Sequence, residues 1–216
     1  MIIPKPKAFK INKQDQDRTT LIFEDQQAQT FYMRGAITWP EKKTLMTQRY
    51  FHRGFCLIAG MNLEDKRVWI FDELDFLTVD HYQDPETKEW EFGLLHFFST
   101  VGRAKYNCSN YWIQQIDSVM SYFRRQFNEA CPKKENALYS LHNVGRAKID
   151  VSEVGDFLVQ DYLERDLLRG DMNSKLFSEL ESEKFDAESY TSAGWALKVL
   201  LAGFAKFPYR EKRRAG

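Results

Sequence analysis

Ser109-Asn-Tyr-Trp-Ile-Gln-Gln-Ile-Asp-Ser-Val-Met-Ser-Tyr-Phe-Arg-Arg-Gln-Phe127 divides the chain into two kinds of sequence. Within it Trp112, Ile116, Val119, Phe123 and Phe127 recur at helical spacing, with Ile113 and Met120 beside them. Ser109 can accept from the free amides of a first turn. The resulting apolar stripe, about 120° wide, suits a helix lying on a sheet. The stretch therefore predicts a helix from Ser109 onward, with Trp112, Ile116, Val119 and Phe123 buried.

Upstream, the chain reads as strands. Thr20-Leu-Ile-Phe-Glu, Thr30-Phe-Tyr-Met-Arg, Gly54 to Ala59, Arg67 to Phe71, Leu74 to His81 and Trp90 to Ser99 are short and rich in aromatic or β-branched residues. Polar turn segments such as Asn62 to Lys66 and Asp84 to Lys88 separate them, which points to an antiparallel meander. Pro40 to Arg49 adds a short helix, with Pro40 at its first position. Downstream, a helix is expected from near Ser152 to Gly170 with Phe157, Leu158, Tyr162 and Leu168 inward. Another runs from about Ser192 to Lys206 and ends at Phe207-Pro208. Strands followed by helices define an α+β fold, an antiparallel β-meander in the N-terminal half covered on one face by helices from the C-terminal half. We expect a single domain over residues 1–216, strand-rich at 20–105 and helix-rich at 109–206, with a basic tail at 208–216.

The composition supports a folded core: 43% of residues are hydrophobic and 15% aromatic, which excludes a disordered chain. Cys56, Cys108 and Cys131 are odd in number and widely spaced, so they read as buried small hydrophobes in a reducing compartment. Met1-Ile-Ile-Pro-Lys-Pro-Lys has no apolar run after its basic residues, and a cytoplasmic location is expected. Ala193 to Phe207, interrupted by Lys198 and Lys206, is shorter than the roughly 20 residues of a bilayer span, so no membrane span is expected. Its Leu197, Leu200, Leu201 and Phe204 form one face, opposite Lys198, Ala202 and Lys206.

Formal net charge is zero, but the signs are segregated: +4 over 31–60, −7 over 61–100, +5 over 101–148, −8 over 149–190 and +5 over 191–216. Such blocks pair with each other or present a charged face to a partner. In the basic 101–148 block, Val-Gly-Arg-Ala-Lys occurs twice, at Val101 to Lys105 and Val144 to Lys148. A Gly beside flexible cations suits an anion, and Gly102 or Gly145 is expected in a loop or strand end. Arg103, Lys105, Arg146 and Lys148, with Arg124 and Arg125, are the candidate nucleic-acid-binding residues, and Tyr106, Tyr111 and Trp112 offer stacking faces. The Gly-x-x-x-x-Gly-Lys spacing of a P-loop is absent.

Two further constellations bear on chemistry. Asp72, Asp75 and Asp80 are material for a metal-dependent nuclease or phosphotransferase, although Glu86-Thr-Lys88 falls in a Pro-containing turn rather than a core strand. In an extended hairpin turning at residues 86 and 87, His81 faces Phe92 and stands about 13 Å from His96, too far to share an ion. No Ser/His/Asp or Cys/His set is present, so no catalytic residues, metal or cofactor are assigned. The sequence favours a non-enzymatic binding or accessory protein with a basic surface for nucleic acid or an acidic protein. The alternatives are the carboxylate enzyme and a structural protein-interaction module.

Overall fold

The computed structural model describes residues 5–12, 15–25, 27–38, 54–83, 86–113, 125, 127–131, 138–144, 151–181 and 193–210. A long meander dominates them: β1 (Ala8–Asn12), β2 (Asp15–Ile22), β3 (Ala28–Thr38), β4 (Gly54–Asn62) and β5 (Val68–Phe76), each antiparallel to the next. The turn from β4 to β5 follows the polar signal there: Asn62 Oδ1 accepts from the Glu64 amide at 2.8 Å, and Lys66 adopts a left-handed φ of 63°.

Gly54-Phe-Cys-Leu-Ile-Ala-Gly in β4 is buried residue after residue, as is Phe31 to Thr38 in β3. Apolar runs without alternation require cover on both faces of a sheet. The chain supplies it on both, rather than on the one face expected. On the first face, Phe31, Met33, Ile37, Cys56, Ile58 and Phe71 pack against Leu94, Phe97, Phe98, Tyr106, Phe127 and Cys131. On the second, Tyr32, Ala36, Phe55, Leu57, Ala59 and Ile70 pack against the C-terminal helices. These are α2 (Val151–Glu164), α3 (Lys175–Glu181) and α4 (Ala193–Lys206). The architecture is α+β with a mixed, mostly antiparallel sheet, strands dominating the first half and helices the second.

Several elements differ from the sequence reading. Trp90 to Ser99 is not one strand: β6 (Tyr82–Gln83) and β7 (Trp90–Glu91) form a small hairpin, and a helix starts at Leu94. An α-turn (Leu94–Phe97), a π segment (Phe98–Arg103) and a last α-turn (Ala104–Tyr106) run on as α1. Its buried Leu94, Phe97, Phe98, Gly102 and Tyr106 have helical spacing, which the aromatic content of 90–99 masks.

Asn110 to Ile113 is a strand, β8, not the first turn of a helix. It runs parallel to β3, pairing Gly35 with Tyr111 and Ile37 with Ile113, because β2 leaves β3 at Tyr32 and frees the edge beyond. Arg34 fills the fork: Nη1 donates to the Met33 carbonyl at 2.7 Å, and Nη2 to Tyr32 Oη at 2.7 Å and Asp17 Oδ1 at 3.0 Å. Tyr-Trp-Ile suits a strand as well as a helix, and pairing with β3 decides between them. β9 (Ser140–Asn143) adds in parallel outside β8. Trp112 is 1% exposed as expected, and Phe127 is helical and buried, whereas Ile116, Val119, Met120 and Phe123 lie outside the described residues, as does Pro40 to Arg49.

The helix from Ser152 ends early. Asp166 takes a left-handed φ of 54°, and Leu168–Arg169 forms β10, a two-residue strand parallel to β5. Phe157 is 69% exposed rather than inward, whereas Leu168 is buried from its strand position. α4 keeps its expected limits but not its basic face: Lys198 is fully buried and Ala202 nearly so, because the helix lies between the sheet and α2. Lys198 reaches out to pair with Asp156 on α2. Among the described residues no helix is long and apolar enough to cross a membrane.

Candidate functional site

The first copy of the repeated pentapeptide lies in α1 and not in a loop. Val101, Gly102 and Arg103 close the π segment, and Ala104 and Lys105 enter the last α-turn. Gly102 has no unusual backbone angle, since no glycine takes positive φ among the described residues. It is glycine because a Cβ there would collide with the Tyr111 hydroxyl. Tyr111 also lies against Gly35, its ring stacked on Phe98 at 3.8 Å and its hydroxyl donating to the Cys108 carbonyl at 3.3 Å. The helix stops at Asn107, whose left-handed φ of 53° lets its amide reach the Arg103 carbonyl, while the Cys108 amide takes that of Gly102.

Two cations project from this end. Arg103 is exposed and makes no ion pair among the described residues, and Lys105, half exposed, sits 3.8 Å from Asp72. Both lie in the last turn, where the helix carbonyls favour positive charge whatever else they do. Arg125 is 66% exposed and 3.8 Å from Glu129, in the segment whose Phe127 and Cys131 cover the same sheet face as α1. Contacts of this length contribute at most about 1 kcal/mol to stability. Arg124, Arg146 and Lys148 lie outside the described residues; of the second pentapeptide only Val144 is described, just beyond β9, its amide donating to the Ile113 carbonyl. The proposed stacking residues are inside: Tyr106, Tyr111 and Trp112 are each no more than 1% exposed.

The carboxylates of β5 point two ways. Asp72 turns to the α1 face, accepting from Tyr106 Oη at 3.2 Å. Burial first, and then Asp72, push that phenol far above its ordinary range. Glu73 and Asp75 turn to the other face. Glu73 accepts the Lys175 and Leu176 amides at 2.6 and 3.2 Å, capping α3, and Lys175 Nζ donates to Asp75 at 2.7 Å. Burial raises the Glu73 pKa despite these bonds. Asp80 is engaged with His81. Among the described residues no three His, Cys, Asp or Glu side chains are grouped to hold a metal ion.

The histidines depart most from the sequence geometry. The β6–β7 register, Tyr82 with Glu91 and Gln83 with Trp90, centres the turn between residues 86 and 87 and sets His81 against Phe92, ring centroids 5.3 Å apart, as expected. But Gly93 folds the chain back, and the Leu94 and Leu95 amides donate to the Thr78 and Val79 carbonyls at 3.1 and 3.0 Å. His96, on a helix rather than an extended strand, comes within 5.8 Å of His81 between centroids. The 13 Å separation is therefore corrected.

No known family model matches the chain, and no curated protein or solved structure is significantly similar to it.

Proposed function

We propose that the protein is a non-enzymatic binding or accessory factor that takes an acidic partner, nucleic acid first, on the basic surface around the end of α1. The observation that carries this reading is Arg103, exposed without an ion pair among the described residues, with Lys105 beside it and Arg125 over the same sheet face. The division of the β5 carboxylates supports it, because Asp72 and Asp75 serve opposite faces and are occupied by Tyr106 and Lys175. Arg124, Arg146 and Lys148 belong to the proposed set on sequence grounds. With Tyr106, Tyr111 and Trp112 in the core, recognition rests on phosphate contacts and carries little base preference.

The test is anisotropy of labelled single-stranded RNA and DNA titrated with the wild type and with R103A/K105A/R125A. Binding is expected at about 50 mM salt and should be weaker in the variant, with the slope of log affinity against log salt flattened by about 0.7 for each phosphate no longer neutralised. Absence of wild-type binding at that salt rejects nucleic acid as the partner.

A further inference from the structure

We propose that His81 and His96 form an exchangeable binding site for a divalent transition-metal ion such as zinc, at the base of the β6–β7 hairpin. His81 Nδ1 lies 3.0 Å from Asp80 Oδ1; with Nδ1–H donating to this carboxylate, Nε2 carries the lone pair a metal requires. Carboxylate-bound imidazoles of this kind are the usual supports of histidine ligands. The His96 ring makes no hydrogen bond among the described residues; it is fixed instead by Phe92, stacked on it at 4.1 Å and 17°. A metal bonded at about 2.1 Å to a ring nitrogen lies roughly 3.2 Å from the ring centroid, so two imidazoles on one ion have centroids up to about 6.4 Å apart. The observed 5.8 Å, with the ring planes at 82°, is within that reach once the ring nitrogens turn toward a common point.

The surroundings favour a cation. Asp80, His81 and Glu129 line one cleft with Thr78, Val79 and Ala130. Among the described residues Glu129 is held only by the long, exposed contact to Arg125. His81 and Asp80 are 45% and 64% exposed, so an ion has a path from solvent. Two protein ligands, with no third grouped beside them among the described residues, leave the remaining positions to water. Such a site binds reversibly and loses its ion on desalting, unlike a structural zinc cage.

Zinc chloride is titrated into the chelator-free protein while the imidazole NMR signals of its histidines are followed, with affinity measured by calorimetry. One saturable equivalent is expected, with the His81 and His96 signals moving together and that of His142 unchanged. H81A and H96A should each weaken affinity at least tenfold. D80A, which keeps both ligands but removes the acceptor that orients His81, should weaken it by about 10-fold or more. The wild-type NMR result stands even if a variant fails to fold. Unmoved His81 and His96 signals at saturating zinc, or unchanged affinity in H81A and H96A, overturn the site.

Discussion

Gly102 shows how a residue can be singled out by sequence for the wrong reason. Its duplication suggested a loop, yet it sits in a helix and its small size admits the Tyr111 hydroxyl. Helix propensity alone favours Gly102→Ala by about 1 kcal/mol, while overpacking costs about 1–3. Net destabilisation is expected, measured as a lower urea midpoint, and a stabilised variant would refute the packing account. Lys198 gives a second case. Its partner Asp156 is 51% exposed, so a freed Asp156 returns to water, and the usual penalty for orphaning a buried charge is small. Lys198→Met, which keeps the stem lying over Gly155, should therefore stay within about 1.5 kcal/mol of wild type, whereas Lys198→Ala should cost about 2–5 through the cavity it leaves. Equal losses in both variants would assign the stability to the charge instead. Neither role is written near the residue itself: the atoms that crowd Gly102 and enclose Lys198 come from β8 and α2.

Elements were legible where local pattern and tertiary use agree. β2 to β4 follow from their β-branched and aromatic runs, and α4 from its apolar period and Phe207-Pro208 stop, whereas β5 is one strand, Val68–Phe76, where two were expected at Arg67 to Phe71 and Leu74 to His81. They were illegible where a short apolar run fits either geometry. Tyr111-Trp-Ile joins β3 because the sheet forks at Arg34, an event 77 residues upstream of Tyr111 in the chain. The candidate cations were readable as charge, but the pair His81 and His96 was not, because their proximity depends on Gly93, at the start of α1, packing against the Asp80 carbonyl, where a Cβ would not fit. The acidic run of β5 was readable only as charge as well, and its use in holding α3 is tertiary. Glu73→Ala removes the acceptor of two α3 amides and should lower stability by about 1–2 kcal/mol, with faster hydrogen exchange at the Lys175 and Leu176 amides. Unchanged exchange there would show that α3 does not depend on this cap.

The whole molecule carries a dependence on alkaline pH. Burial raises Cys56 and Tyr111 well above their ordinary values, pushes Cys108 up to about 12 and raises Tyr106, Tyr32 and Tyr162. For acids held neutral in the folded state, the stabilisation is complete below the unfolded values of about 8.5 for thiols and 10 for phenols. It is lost as pH rises through the folded values, because the unfolded chain releases protons first. Stability should thus be level from about pH 7 to 8.5 and fall steeply above pH 10, where circular dichroism and tyrosinate absorbance should change together. Tyrosines that all ionise near pH 10 with the fold intact would contradict the burial of Tyr106 and Tyr111.

β10 is two residues long, and its effect reaches beyond the bonds it makes. The Val68 amide donates to the Leu167 carbonyl at 2.8 Å, and Leu168 and Arg169 lie alongside Val68 and Trp69. β5 carries Val-Trp-Ile-Phe at the margin of the sheet, the kind of strand that recruits copies of itself when left bare. A segment recruited from 100 residues later in the chain acts as a guard over that margin. During synthesis the meander emerges well before its guard, so the nascent chain passes through an interval in which self-association competes with completion of the fold.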